Sequence, residues 1–201
     1  MTSAYDIKPA FQRVLRPLCR SLHSAGVTPN PLTIGTLTAS LGMGLWLFVA
    51  RDPVIPLLVL PVFLVVRMAA NALDGMIAKE YGLSSRTGAM LNEVGDVIAD
   101  AALYLPFATL PGIRSILPVA IVTLGVTTEV AGLAAASVSG RRRYDGPMGK
   151  SDRALAFGLL AIVYACGLRG RLFLDCFMWT VIILLLATIV NRCRHVGREV
   201  A

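Results

Sequence analysis

Amide and acidic side chains recur at helical spacing beside two strongly apolar segments: Asn71, Asp74, Asn92, Glu93, Asp96 and Asp100. They fall on one face of each of two successive predicted helices. Charge at the edge of a membrane is costly, so residues of this kind usually have a function. Oxygen ligands favour hard cations such as Mg²⁺ or Mn²⁺, and a divalent ion beside a carboxylate suits phosphoryl transfer. The metal neutralises phosphate charge, and the carboxylate accepts a proton.

A purely structural role is the alternative interpretation of these acids. They would then pair with nearby bases, Arg67, Lys79 and Arg86, and hold helices together. Because four acids exceed three bases, we favour a functional site in a polar cleft between two antiparallel helices. No His or Cys is near enough in sequence to indicate zinc.

The spacing of these residues forms one long motif, N-x2-D-G-x2-A-K-x8-G-x3-N-x3-D. It runs through Asn71, Asp74, Gly75, Ala78, Lys79, Gly88, Asn92 and Asp96. The motif resembles that of the CDP-alcohol phosphotransferase family, D-x2-D-G-x2-A-R-x8-G-x3-D-x3-D. The segment from Thr28 to Thr33 is also similar to the P-N-x-L-T segment that precedes the first membrane helix of the family. The resemblance therefore covers nearly the whole chain.

This resemblance implies a membrane enzyme of phospholipid biosynthesis. It would transfer a substituted phosphate, expected to be phosphatidyl from CDP-diacylglycerol, to a small alcohol with release of CMP. By the same resemblance Asp74 is a metal ligand, and Asp96 is the general base or a ligand of a second metal. The nucleotide would contact Asp74, Gly75, Ala78, Lys79 and Gly88. Mg²⁺ or Mn²⁺ is the implied cofactor, and a homodimer is the implied assembly.

Two positions depart from the family motif, because Asn71 and Asn92 stand where the family has aspartates. The change removes two negative charges, so the sequence leaves open whether one or two ions bind. Glu93 and Asp100 are candidates to restore the charge. A catalytically weakened or inactive lipid-binding relative is one alternative function, and a small transporter is another.

The composition predicts an all-α integral membrane protein. The chain has 201 residues, 56% of them hydrophobic, and a mean hydropathy of +0.70. Six spans of roughly 20 residues are predicted, near 31–50, 53–74, 88–110, 115–138, 154–170 and 174–191. Residues 1–27 are predicted to form an amphipathic juxtamembrane segment, and residues 28–201 a single membrane domain.

The distribution of Lys and Arg predicts the orientation in the inner membrane of a prokaryote. Fourteen basic residues lie on one side: Lys8, Arg13, Arg16, Arg20, Lys79, Arg86, Arg141, Arg142, Arg143, Lys150, Arg153, Arg192, Arg194 and Arg198. Only Arg51, Arg114, Arg169 and Arg171 lie on the other. Both termini are therefore predicted to be cytoplasmic, with the motif accessible to a soluble nucleotide. Anionic lipid and phosphate account for the net charge of +7, and no nucleic-acid partner is predicted.

The first 27 residues show an amphipathic pattern without a continuous apolar run. One face carries Ile7, Phe11, Val14, Leu15, Leu18 and Leu22, and the opposite face carries Arg13, Arg16 and Arg20. This pattern indicates a helix lying among lipid headgroups, and Pro9 and Pro17 are expected to limit or kink it.

Three basic residues complete the candidate site. Lys150 and Arg153 stand at the predicted start of the fifth membrane helix, where they would bind a phosphate or an anionic acceptor. The same helix would be capped by Ser151 or Asp152. Within the second membrane helix, Arg67 is predicted to pair with Asp100 or Glu129, or to contact a substrate phosphate. The four cysteines show no pairing pattern and are expected to be reduced packing residues.

Overall fold

The computed structural model describes residues 4–140 and 142–200, and these residues form helices and short connections. The α-helices are α1 (Ala4–Ser24), α2 (Pro29–Val49), α3 (Val54–Glu80), α4 (Arg86–Tyr104), α5 (Ile116–Ser139), α6 (Lys150–Ala165) and α7 (Arg171–Val200). A 3-10 helix, Leu105–Thr109, follows α4. The predicted all-α class is confirmed. Arg141, counted in the positively charged loop, lies outside the described residues, as do the side chains of Ile7, Lys8 and Arg198.

Four described helices, α2, α3, α5 and α7, are long and apolar enough to cross a membrane. The other two predicted spans lie on α4 with its 3-10 extension and on α6. The α6 helix has 16 residues, about 24 Å at 1.5 Å per residue, which is less than a hydrocarbon core of about 30 Å. The α4 helix carries the acidic residues of the motif, which lower its hydropathy. The crossing of the membrane by α4 and α6 therefore stays a prediction.

The chain divides into two compact units. The first contains Met1–Gly42 and Val65–Ala99, and the second contains Met43–Leu64 and Asp100–Ala201. Because α2, α3 and α4 each pass from one unit to the other, the units share helices. The predicted boundary at residue 27 divides the chain differently, because it separates a segment expected at the membrane surface from the domain expected within the membrane.

In the first unit α1 packs against the end of α3. Leu15 and Cys19 are buried with a cluster of α3 residues, Leu73, Met76 and Ile77. The rings of His23 and Tyr81 stack with centroids 3.6 Å apart. Neither Pro9 nor Pro17 ends the helix, because α1 extends through both. One apolar face of α1 thus lies on protein, while Val14 and Leu18 stay exposed.

The second unit is built on packing between α5 and α7 and on an aromatic cluster. Phe157 of α6 stacks on Tyr104 at 4.1 Å and meets Phe107 edge-on at 5.0 Å. The backbones of α2 and α4 approach closely here, since a Cβ added at Gly44 would overlap the carbonyl oxygen of Ala102. A small residue is therefore required at this crossing.

All four cysteines are free, in agreement with the expected reduced state. Only Cys19 is buried, and its burial is the main cause of a raised thiol pKa. The Cys19 thiol is therefore protonated at neutral pH and acts as a small apolar packing group.

Candidate active site

Asp74 is the buried carboxylate at the centre of the first unit, with only 4% of its surface exposed. Its Oδ2 accepts a hydrogen bond from Thr33 Oγ1 of α2 at 2.8 Å. The same oxygen accepts a second bond from Asn92 Nδ2 of α4 at 3.0 Å. Three helices therefore fix the position of this carboxylate.

Asp96 is the corresponding buried carboxylate on α4. Its Oδ1 accepts a hydrogen bond from Asn71 Nδ2 of α3 at 2.6 Å. The same oxygen forms an ion pair with Arg67 Nη2 at 3.3 Å. Arg67 also donates to the backbone oxygen of Asp96 at 3.2 Å. Each motif asparagine thus donates to the motif aspartate of the opposite helix.

The donor atoms of this cluster are suited to a hard cation. Since the nitrogen of each amide donates to a carboxylate, the amide oxygen is the atom able to bind a metal. Together with the carboxylates of Asp74 and Asp96, the cluster offers oxygen ligands only, as Mg²⁺ and Mn²⁺ prefer. Among the described residues, no three Asp, Glu, His or Cys side chains come together in a group that could hold an ion. Neutral amide ligands would have to complete the coordination.

The glycines of the motif have different surroundings. A Cβ added at Gly88 would lie 2.7 Å from Asn30 Oδ1 and 2.9 Å from Ser85 Oγ, so it would displace these two side chains. Asn30 belongs to the P-N-x-L-T segment, so α4 approaches this segment closely at Gly88. Within the described part of the chain, a Cβ added at Gly75 would meet nothing within 4 Å. Lys79 is exposed near the end of α3.

A second cluster of buried charge lies in the second unit. Arg153 is 3% exposed and contacts Asp100 Oδ2 through Nη2 at 2.9 Å and through Nε at 3.1 Å. Glu129 lies 3.2 Å from Arg153, 3.2 Å from Arg142 and 4.0 Å from Arg192. Three arginines therefore converge on two carboxylates, which leaves one excess positive charge.

The structure gives partners for two of the predicted basic site residues. Arg67 contacts Asp96, and Arg153 contacts Asp100 and Glu129. The predicted pairing of Arg67 with Asp100 or Glu129 stays a prediction. Lys150 is the first residue of α6. Of the two predicted capping residues, Asp152 accepts a hydrogen bond from the Gly149 N–H at 2.8 Å.

Sequence reasoning missed two contributors. Thr33 was quoted only as part of the P-N-x-L-T segment, yet its hydroxyl donates to Asp74. Arg192 was counted only for topology, yet it is 2% exposed and donates to the backbone oxygen of Thr128. The position of Thr33 in the P-N-x-L-T segment could have indicated its role, whereas no sequence pattern pointed to Arg192.

Four described helices are long and apolar enough to cross a membrane, and a buried cluster of oxygen ligands lies among the helices of the first unit. Together they indicate a membrane protein with a polar site. A family comparison identifies the class of enzyme: residues 26–191 match the CDP-alcohol phosphatidyltransferase model, and the chain belongs to this family. Its members are transferases of substituted phosphate groups. The resemblance and the enzyme class predicted from the motif are confirmed.

Individual relatives agree with this assignment. The chain is 47% identical over 193 residues to the inner membrane protein YnbA of Escherichia coli, covering 96% of this chain and 95% of YnbA. It is 34% identical to the phosphatidylinositol phosphate synthase of Mycobacterium marinum, covering 74% of this chain and 64% of that protein.

Two solved structures of one mycobacterial enzyme share the fold. The Mycobacterium tuberculosis phosphatidylinositol phosphate synthase with CDP-DAG bound gives a TM-score of 0.74 at 25% identity, covering 92% of this chain and 94% of that one. Its complex with manganese and citrate gives a TM-score of 0.73 at 24% identity, covering 90% and 88%.

Proposed function

We propose that this protein transfers phosphatidyl from CDP-diacylglycerol to a phosphorylated alcohol at the membrane surface. The observation that supports this most is the pair of buried carboxylates, Asp74 and Asp96, fixed between α3 and α4 at the spacing of the family motif. The mycobacterial relative that binds CDP-DAG supports the choice of donor.

In the proposed reaction Asp96 accepts the proton of the acceptor hydroxyl. The acceptor oxygen then attacks the β-phosphorus of the donor, the bond from this phosphorus to the bridging oxygen breaks, and CMP leaves. Asp74, with the amide oxygens of Asn71 and Asn92, would hold Mg²⁺ or Mn²⁺, which supplies neutralisation of pyrophosphate charge when bound. Arg67 and Asn71 keep the Asp96 carboxylate oriented.

The nucleotide is proposed to approach α3 along Gly75 and Ala78. No side chain at Gly75 obstructs the backbone, and Lys79 lies one turn further, where it would neutralise phosphate. Gly88 would allow α4 to approach the first turn of α2 at Asn30.

The acceptor is proposed to carry its own phosphate, because three arginines, two of them buried and one partly exposed, gather around two acids in the second unit. These are Arg142, Arg153 and Arg192 around Asp100 and Glu129, and guanidinium groups bind phosphate through two parallel hydrogen bonds. Lys150 adds charge at the first turn of α6. The contact of Asp100 with Arg153 argues against its role as the replacement metal ligand.

An acceptor screen tests this function. Purified protein in detergent would be given labelled CDP-diacylglycerol with inositol phosphate, glycerol phosphate, inositol, glycerol or serine, and CMP and lipid products measured. We expect CMP release that depends on an acceptor, with higher kcat/KM for the phosphorylated member of each pair. Equal values within the pairs would reject the arginine assignment.

A catalytically inactive lipid-binding relative is the second candidate, because two of the four motif acids are amides. Absence of CMP release with every acceptor, from protein that is folded and binds CDP-diacylglycerol, would favour it.

The architecture proposed with this function has six membrane spans, with residues 1–27 as a juxtamembrane segment and 28–201 as the membrane domain. Both termini are proposed to lie in the cytoplasm and two chains to form a homodimer. The charge bias supports the orientation, and the family resemblance supports the dimer. Crosslinking in native membranes would test the dimer.

A further inference from the structure

We infer that the first unit binds one divalent ion rather than two, because the side-chain amides of its two asparagines stabilise the carboxylates that a second ion would otherwise neutralise. This inference rests on the proposed function. It concerns Asn71 and Asn92, the two residues by which the chain departs from the four-aspartate motif.

The hydrogen bonds of the site show how the carboxylates are stabilised by protein groups alone. Asp96 accepts from Asn71 at 2.6 Å and from Arg67 at 3.3 Å, and Asp74 accepts from Asn92 at 3.0 Å and from Thr33 at 2.8 Å. Four aspartates in these places would be acceptors only and would repel one another until cations bound. Here two of the four positions supply hydrogen-bond donors, and each donates to one of the two carboxylates.

The charge of the site leads to the same number of ions. Asp74 and Asp96 carry two negative charges, and Arg67, paired with Asp96, carries one positive charge, so these buried groups sum to one negative charge. One divalent ion changes that sum to one positive charge. A second ion would raise it to three positive charges among buried groups, which is strongly unfavourable.

Asp74, with the amide oxygens of Asn71 and Asn92, would hold this ion, and Asp96 would stay the proton acceptor. Amides bind through the carbonyl oxygen without adding charge, so affinity is expected to be lower than in an all-carboxylate site. The folded state, in contrast, is expected to depend little on metal.

The test is the number of Mn²⁺ ions bound per chain, measured by equilibrium dialysis and by the electron paramagnetic resonance signal of free Mn²⁺. We expect about one ion in the natural protein and about two in the Asn71→Asp/Asn92→Asp double variant, since ligand charge and count set affinity. Asn191→Asp on α7 is the matched control, and its stoichiometry should equal that of the natural protein.

Thermal unfolding gives a second measurement that does not need activity. Chelation by EDTA should change the unfolding midpoint of the natural protein little. It should lower that of the double variant, with recovery when Mn²⁺ is returned. If the double variant does not fold, each single variant and the natural stoichiometry still decide the question.

CMP release measured in parallel separates this inference from the proposed function. Two ions per natural chain, or none, in protein that releases CMP would overturn the inference and leave the function standing. No bound ion and no CMP release would reject both.

Discussion

At the scale of single residues, the two motif carboxylates have unlike neighbours. Asp96 accepts an ion pair from Arg67 and a hydrogen bond from the Asn71 amide. Asp74 receives a hydroxyl and an amide, both neutral. We therefore expect Asp74 to act mainly as a ligand and Asp96 as the oriented proton acceptor.

Replacement of Asp96 by Asn tests that division. Asn keeps the shape but cannot accept a proton, so kcat for CMP release should fall by about 10²-fold or more. Asp52→Asn, in the exposed turn before α3, is the control and should leave kcat unchanged. Near-normal turnover of Asp96→Asn would assign the base to Glu93 or Asp100.

Thr33 offers a second test at this scale. Thr33→Val removes the donor to Asp74 without changing side-chain volume, and a lost bond to a charged group should cost about tenfold in kcat/KM. Thr33→Ser should recover most of the activity. Thr38→Val, whose exposed hydroxyl bonds only to its own helix backbone, should behave like the natural protein. Equal impairment of the Ser and Val variants would show that packing, not the hydroxyl, matters at position 33.

Spacing along a helix shows which residues share a face. It predicts that Asn71 lies with Asp74 on one helix and Asn92 with Asp96 on the next. It does not show which side chain of another helix a group will meet. For that reason the contacts from Asn71 to Asp96 and from Arg153 to Asp100, 53 residues apart, were not predicted.

At the scale of helices, close backbone approach in the second unit depends on one glycine. Gly44 lies where α2 meets α4, and no larger residue fits against the Ala102 carbonyl without displacement of a helix. Helix starts were predicted well where a polar segment precedes an apolar one, as at Lys150. The ends of α3 and α7 lie further along the chain than predicted, because apolarity marks a membrane span and not the end of a helix.

Gly44→Ala should destabilise the protein, because overpacking at a helix crossing costs about 1–3 kcal/mol. The thermal midpoint in detergent should fall by several degrees. Gly42→Ala is the matched control: an added Cβ there meets nothing within 4 Å in the described structure, so the midpoint should stay the same or rise slightly. Equal midpoints for the two variants would contradict the close crossing.

At the scale of the whole molecule, hydropathy and charge bias predict the helix class and orientation, but not the number of crossings. Four of the described helices are both long enough and apolar enough to cross a membrane. The α4 and α6 helices are not, because one carries the acidic residues of the site and the other is short. The acidic residues of the site on α4 thus lower the hydropathy from which membrane spans are counted.

Cysteine labelling measures the orientation. In a variant without the four natural cysteines, Tyr144→Cys, before α6, should resist an impermeant maleimide added outside intact cells. Asp52→Cys, between α2 and α3, should react with it. Labelling at position 144 from the outside would refute the six-span arrangement.

The packing of α1 on α3 also constrains the order of events during synthesis. About sixty residues separate Leu15 from its partner Ile77, so α1 leaves the ribosome long before that partner exists. At 5–20 residues per second the delay is roughly 3–12 s. During that interval the apolar face of α1 has only the bilayer surface to cover it. The nascent chain is thus expected to contact the lipid with this helix before Asp74 and Asp96 have been synthesised.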